Sequence, residues 1–336
     1  MIFGKKKFLA AVGDFENAVH AQDQAAAEQA FGRLRQTSAK AGDRAFQEAG
    51  PRLAALLPSV PHGPRATVAV IAGACVERGA DASACAPWIL ASAREAFAAA
   101  EDFCARWADT GGGELPDLGD EPTEEIIGRT GLEPAMGWFT LPQWEMACVA
   151  MLNDPAVRRK SEGTAELLEA VGRAAEASGH EFKCLAYALR VLDDEPLVVL
   201  HRATGTGYAL RMSGIGDNFQ LHTLLAGVLI GGKHLPGRAP SAGEIAVCTD
   251  APGQVATEGS FNLVAPDGTW IFNEGDPTDV PLVDGTRLLV LDAPPYQRTW
   301  PAGRFFPGMR GDLVLDRVLD AAEAASWFAK VQPAKK

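Results

Sequence analysis

The chain has 336 residues, 47% of them hydrophobic and 22% charged, with a net charge of −12. That balance excludes an intrinsically disordered chain, whose apolar content would be too low to offset the entropy of ordering, and the length suits two cores better than one. Residues 1–200 carry −10 and residues 201–336 carry −2, an asymmetry that argues against a nucleic-acid partner for the first half, since phosphate binding needs a basic face.

The opening MIFGKKKFLAAVGDF has too short an apolar run before Gly13 and Asp14 for a secretory leader. The longest other apolar run, within 221–232, is about half of what a membrane span requires. Cysteines at 75, 85, 104, 148, 184 and 248 include no Cys-x-x-Cys pair and read as small buried hydrophobes in a reducing cytoplasm. A cytoplasmic protein with no membrane partner is expected.

Apolar residues recur at helical spacing through the first half. A helix is expected over 14–37, and a second over 43–57, kinked or restarted at Gly50-Pro51. A third runs from Pro64 through Val76, and a long fourth is capped by Asp81 or Ser83 and carries Phe97 and Phe103. Between 109 and 137 the composition turns to Gly, Pro and acids, with six acids between Glu114 and Glu125, which reads as a long surface loop or lid holding one short helix at 123–128. Thr140-Leu-Pro-Gln143 has capping-box spacing before a helix, and further helices are expected at 162–178 and 181–192. Asp193-Asp-Glu-Pro196 stops the pattern. The expected fold class is α+β: an all-α domain over 1–195, then a smaller α+β domain with antiparallel hairpins over 196–336.

Leu197 to Gly232 reads as a hairpin running into a helix. With Arg202 opposite Tyr208, Val198, Leu200, Leu210 and Met212 would share the core face. Gly214-Ile-Gly216 turns the chain, Asp217 caps the helix with Gln220 at capping-box spacing, and Leu221, Leu224, Leu225, Val228 and Leu229 form its buried stripe. The Gly-x-Gly is not a dinucleotide fingerprint: the third glycine is missing, an Asp would face the pyrophosphate, and the preceding strand belongs to an antiparallel hairpin. Ser241-Ala-Gly-Glu244 is another capping box. Asp267-Gly268 predicts a two-residue type I′ tip that sets Asn262 opposite Asn273 and Val264 opposite Ile271. Arg287–Asp292 reads as a fully buried strand, Leu313–Leu315 as the last strand, and Asp320 with Glu323 as the cap of a terminal helix.

No P-loop, nucleophile elbow, zinc helix or clustered His/Cys set occurs, so the sequence names no cofactor and no metal ligands. Polar residues do gather where predicted strands end. His222 and Glu274 are the candidate catalytic acid–base pair, and Asp217, Asn218, Asn262, Asn273, His201 and Arg211 are the candidate ligand-binding residues. Each has a structural alternative: Asp217 as a cap, Asn262 and Asn273 bonded across the hairpin, His222 exposed or bonded to a carbonyl, and His201 and Arg211 on a sheet surface. A Cys248–His222 thiol–imidazole pair has no local support. The leading expectation is an accessory or regulatory protein that binds a protein partner or a small ligand in a groove between its domains. The competing one is a hydrolase or transferase using the His/carboxylate pair.

Overall fold

A computed structural model describes residues 2–160 and 163–335, without the side chains of residues 2 and 3. The chain divides into two compact units, Met1–Leu189 and Arg190–Lys336. Together they make an α+β protein: helices first, then a mostly antiparallel sheet.

The first unit is built from α1 (Ile2–His20), α2 (Gln24–Ser38), α3 (Asp43–Leu56), α4 (His62–Glu77), α5 (Ala82–Asp109), α6 (Glu124–Thr130), α7 (Leu132–Phe139), α8 (Leu141–Leu152), α9 (Pro155–Arg158), α10 (Thr164–Ser178) and α11 (Lys183–Arg190). Among the described residues no strand precedes Glu195. The single helix expected over 14–37 is a helical hairpin instead. The chain reverses at Gln22, with φ +55°, and Asp23 restarts it by accepting the Ala26 N–H at 3.0 Å. Gly50-Pro51 does not break α3. Gly50 is a close contact, where a Cβ would lie 2.7 Å from the Ala80 Cβ and 3.0 Å from that of Cys75. Position 162, the expected start of the α10 segment, lies outside the described residues; α10 is observed from Thr164.

Of the expected 109–137 loop, only Gly131 and the stretch 110–123 lack helix. The Trp107 and Trp138 indoles hold it, donating to the Gly113 and Pro116 carbonyls, and Leu115 and Leu118 are half-buried. Beyond it, α7 packs hard on α5: Trp138 and Phe139 are buried against Phe103, with ring centroids 5.7 and 5.8 Å away. At Gly137 a Cβ would lie 2.6 Å from the Ala99 Cβ. Acids on the outer face of α6 and α7 hid this packing in the composition. Thr140 does not cap α8 either; its hydroxyl donates back to the Met136 carbonyl and closes α7.

The second unit contains β1 (Glu195–His201), β2 (Thr206–Ser213), α12 (Asn218–Ala226), α13 (Ala242–Thr249), β3 (Val255–Glu258), β4 (Asn262–Val264), β5 (Leu282–Val283), β6 (Thr286–Asp292), β7 (Thr299–Ala302), β8 (Asp312–Val318) and α14 (Ala321–Phe328). Strand order is β4-β6-β1-β2-β8, with β5 also on β6 and β3 paired with β7 apart. Every pairing is antiparallel except β1 with β6. That central pair is buried on both faces, as parallel strands generally are. Leu197, Val199, Leu289 and Leu291 face α12, while Val198, Leu200 and Leu288 join Leu319 and Ala324 on the other side.

Both expected hairpin registers are corrected. In the first, a four-residue loop with Gly205 at φ +67° pairs His201 with Thr206 and Val199 with Tyr208. Val198 and Leu200 therefore point away from Leu210 and Met212. With apolar residues on both faces, side-chain patterning could not choose the register. In the second, Asp267 accepts from the Thr269 backbone and hydroxyl, making a three-residue Pro266-Asp267-Gly268 turn. Val264 then lies opposite Trp270, Asn262 pairs with Asp292 rather than Asn273, and Phe272 is 65% exposed. A one-residue slip inverts the faces.

Gly214 leads into α12 at φ +65°, and a Cβ there would run into the Arg310 carbonyl oxygen. Gly214→Ala should cost about 2–4 kcal/mol in urea unfolding, from backbone strain plus overpacking. An unchanged midpoint would show that this turn is slack.

Candidate functional site

Five of the eight sequence-derived candidates, Asp217, Asn218, His222, Asn262 and Asn273, lie on or around the first turns of α12. Asp217 caps the helix, accepting the Gln220 N–H at 2.7 Å. Gln220 does not complete a capping box with the Asp217 backbone. Its oxygen accepts from the Gly216 N–H at 2.9 Å, and its amide donates to the Cys248 carbonyl at 2.7 Å, tying α12 to α13. Residues 220–226 are all buried, so the leucine stripe is only part of the covered surface.

Asn218 has no exposed surface. Its backbone N–H donates to the Gly275 carbonyl at 3.0 Å, and its amide donates to the Phe272 carbonyl at 3.0 Å and the Asp279 carboxylate at 3.2 Å. One turn on, His222 is 1% exposed rather than on the surface. Its Nε2 accepts the backbone N–H groups of Ser260 and Phe261, at 3.0 and 3.2 Å. Two donors on Nε2 require the neutral tautomer with its proton on Nδ1. Phe261 stacks on the ring at 5.7 Å and Trp300 meets it edge-on at 4.9 Å. Burial, and then the nearby Arg298 charge, push the His222 pKa down to about 4, partly opposed by the Asn273 side chain.

Several buried polar atoms around this imidazole have no hydrogen bond of good geometry: Asn218 Oδ1, His222 Nδ1, Asn273 Oδ1, Arg298 Nε and Trp300 Nε1. His222 Nδ1–H and Asn273 Oδ1 are a complementary donor and acceptor. Asn262 joins the cluster through Arg298, whose guanidinium donates to the Phe261 carbonyl at 2.8 Å and the Asn262 amide oxygen at 3.5 Å. Sequence reading missed Arg298 and Ser260, which come from irregular segments with no local pattern, and Trp300, which lies in the short strand β7.

Other candidates lie elsewhere. Glu274 is exposed, whereas His222 is enclosed. Arg211 is an exposed residue of β2 that pairs with Asp194 at 3.5 Å and Asp316 at 3.2 Å. His201 begins a separate polar chain that runs through Thr204 and Thr206 to the Tyr208 hydroxyl, with links of 2.8, 2.6 and 2.9 Å. Burial lowers its pKa, partly opposed by Asp292. The Cys248 thiol is buried and donates to the Gly303 carbonyl at 3.6 Å, and burial pushes its pKa up to about 11, so it stays protonated. Among the described residues no group of three or more His, Cys, Asp or Glu is placed to hold a metal ion, and no helix is long and apolar enough to cross a membrane.

Open cavities occur in each unit. In the second, a recess of about 170 Å³ is lined by Arg238, Glu244, Thr257, Glu258 and Ser260. In the first, a groove of about 580 Å³ runs between α1, α2 and the segment 59–64. No family model matches the chain, and comparison with curated proteins and with solved structures found no match.

The His222 pKa generates a pH prediction. Its folded value of about 4 lies below the ~6.5 of an exposed histidine, so the unfolded chain takes up the proton first. The contribution is complete above about pH 6.5 and is lost as pH falls toward 4, on the order of 2–3 kcal/mol between pH 7.5 and 4.5. His222→Gln, which keeps an acceptor for the two amides but cannot titrate, should show a shallower acid slope in urea unfolding. Identical slopes would mean that the imidazole is not buried neutral.

Proposed function

We propose that this chain is an accessory protein that binds a partner protein through the groove of its helical unit. The observation carrying this reading is the groove itself, about 580 Å³ in volume, with Phe15, Val19, Ala27, Phe31, Val60 and Pro61 among its walls. Phe15, Val19 and Val60 are themselves buried and Ala27 and Phe31 half-buried, so the groove is a concave recess of the kind that takes up a partner's side chains. Its walls are helices, which suits side-chain docking better than backbone pairing.

The hydrolytic alternative has less support. A general base must come within hydrogen-bond reach of the proton it removes, yet His222 is enclosed and its Nε2 is already held by two amides. A small ligand in the second unit is also less favoured. The recess there is small, and the Glu244 carboxylate is already occupied by the Ser241 N–H at 2.7 Å and by Thr257.

A photo-crosslinking residue in place of Phe31 tests the reading in cells. A discrete crosslinked species is expected, and it should disappear when Ala27→Lys puts a charged side chain into the groove. Crosslinking that is absent, or unchanged by Ala27→Lys, would remove the proposal.

A further inference from the structure

Resting on that docking reading, we infer that the occupant of the groove is a cationic amphipathic helix of a partner protein. Phe15 and Val19, four residues apart on α1, are buried at the bottom of the groove, with the Phe15 ring 5.7 Å from that of Phe31, while Ala27 and Phe31, four residues apart on α2, are half-buried in its wall. Such a floor and wall suit the apolar ridge of a third helix, with anchors at i, i+3 or i+4, and i+7.

Charge selects the kind of helix. The lining holds two carboxylates, Asp23 and Glu28, and no Lys, Arg or His. Neighbouring acids are neutralised within the unit: Asp14 pairs with Arg33 at 3.0 Å and Glu16 with Arg52 at 2.6 Å. Asp23 and Glu28 have only neutral partners among the described residues, the Ala26 N–H and the Gln24 amide. An apolar furrow edged by uncompensated negative charge attracts a helix whose flanks carry Lys or Arg and repels one carrying Glu or Asp. The same charges disfavour an anionic lipid surface.

Two synthetic helices with the same leucine face, one flanked by Lys and the other by Glu, test this by fluorescence anisotropy against the full chain. The Leu/Lys peptide should bind, more weakly as salt is raised, and the Leu/Glu peptide should not. Asp23→Asn with Glu28→Gln removes both charges while keeping a capping side chain; circular dichroism should be unchanged and Leu/Lys affinity should fall about three- to tenfold. Ala27→Lys should weaken binding at least tenfold. Equal affinity for the two peptides, preference for Leu/Glu, or unchanged affinity in the neutralised variant overturns the inference. So does occupation of the groove by an alkyl detergent below its micellar concentration when the Leu/Lys peptide fails to bind. If crosslinking at Phe31 persists while the Leu/Lys peptide fails, the partner class falls and the docking reading stands; failure of both removes the docking reading.

Discussion

The second unit depends on the parallel pairing of β1 with β6. Four successive residues of β1, Leu197 to Leu200, are buried, and so are four of β6, Leu288 to Leu291. Alternate side chains go to opposite faces, so this pair must be covered from both sides. α12 and the segments around it cover one face, and α14 with Leu319 covers the other. Burying each of these leucines and valines is worth about 1.5–3 kcal/mol before entropy is counted. Because β6 follows β1 by more than eighty residues in sequence, everything between them must fold as a crossover. That crossover contains α12, α13, β3 and β4, and with them most of the polar cluster around His222; Arg298 and Trp300 follow β6.

Inside the cluster, His222 does the work of a backbone group. Its Nε2 takes the two amides that open β4 and so fixes where that strand leaves α12. Two buried N–H groups without an acceptor would cost about 1–3 kcal/mol each, which is reason enough for an imidazole among aromatic rings. A histidine used in this way has little left for chemistry: its accepting nitrogen is occupied and its charge is suppressed by burial. On the docking reading proposed above, recognition falls to the α1–α2 furrow, which combines apolar walls with two carboxylates that form no ion pair among the described residues.

Interactions within a few residues were legible in the sequence. Asp81, Asp217, Ser241 and Asp320 all cap helices, because a cap is a contact between a side chain and a backbone group two or three residues on. The order of helices before strands was also readable from periodicity. Register was not, since the two-faced burial of β1 erases the alternation that would have set it, and since Asp267 bonds Thr269 and so lengthens the second turn. Nor was the burial of His222 legible, because its donors lie almost forty residues downstream. Arg298 and Trp300 approach it from a segment whose Pro and Gly content suggests only turns. The groove was not legible because residues 14–37 carry a continuous helical pattern, and the reversal at Gln22 and Asp23 is a property of the backbone.

Backbone amide chemical shifts of the full chain titrated with the Leu/Lys peptide test most directly whether recognition lies on one face of the helical unit. Shifts are expected in the last turns of α1, the first turns of α2 and residues 59–64, with the surroundings of His222 unmoved. Shifts centred instead on residues 230–260, around Arg238 and Glu244, would contradict it.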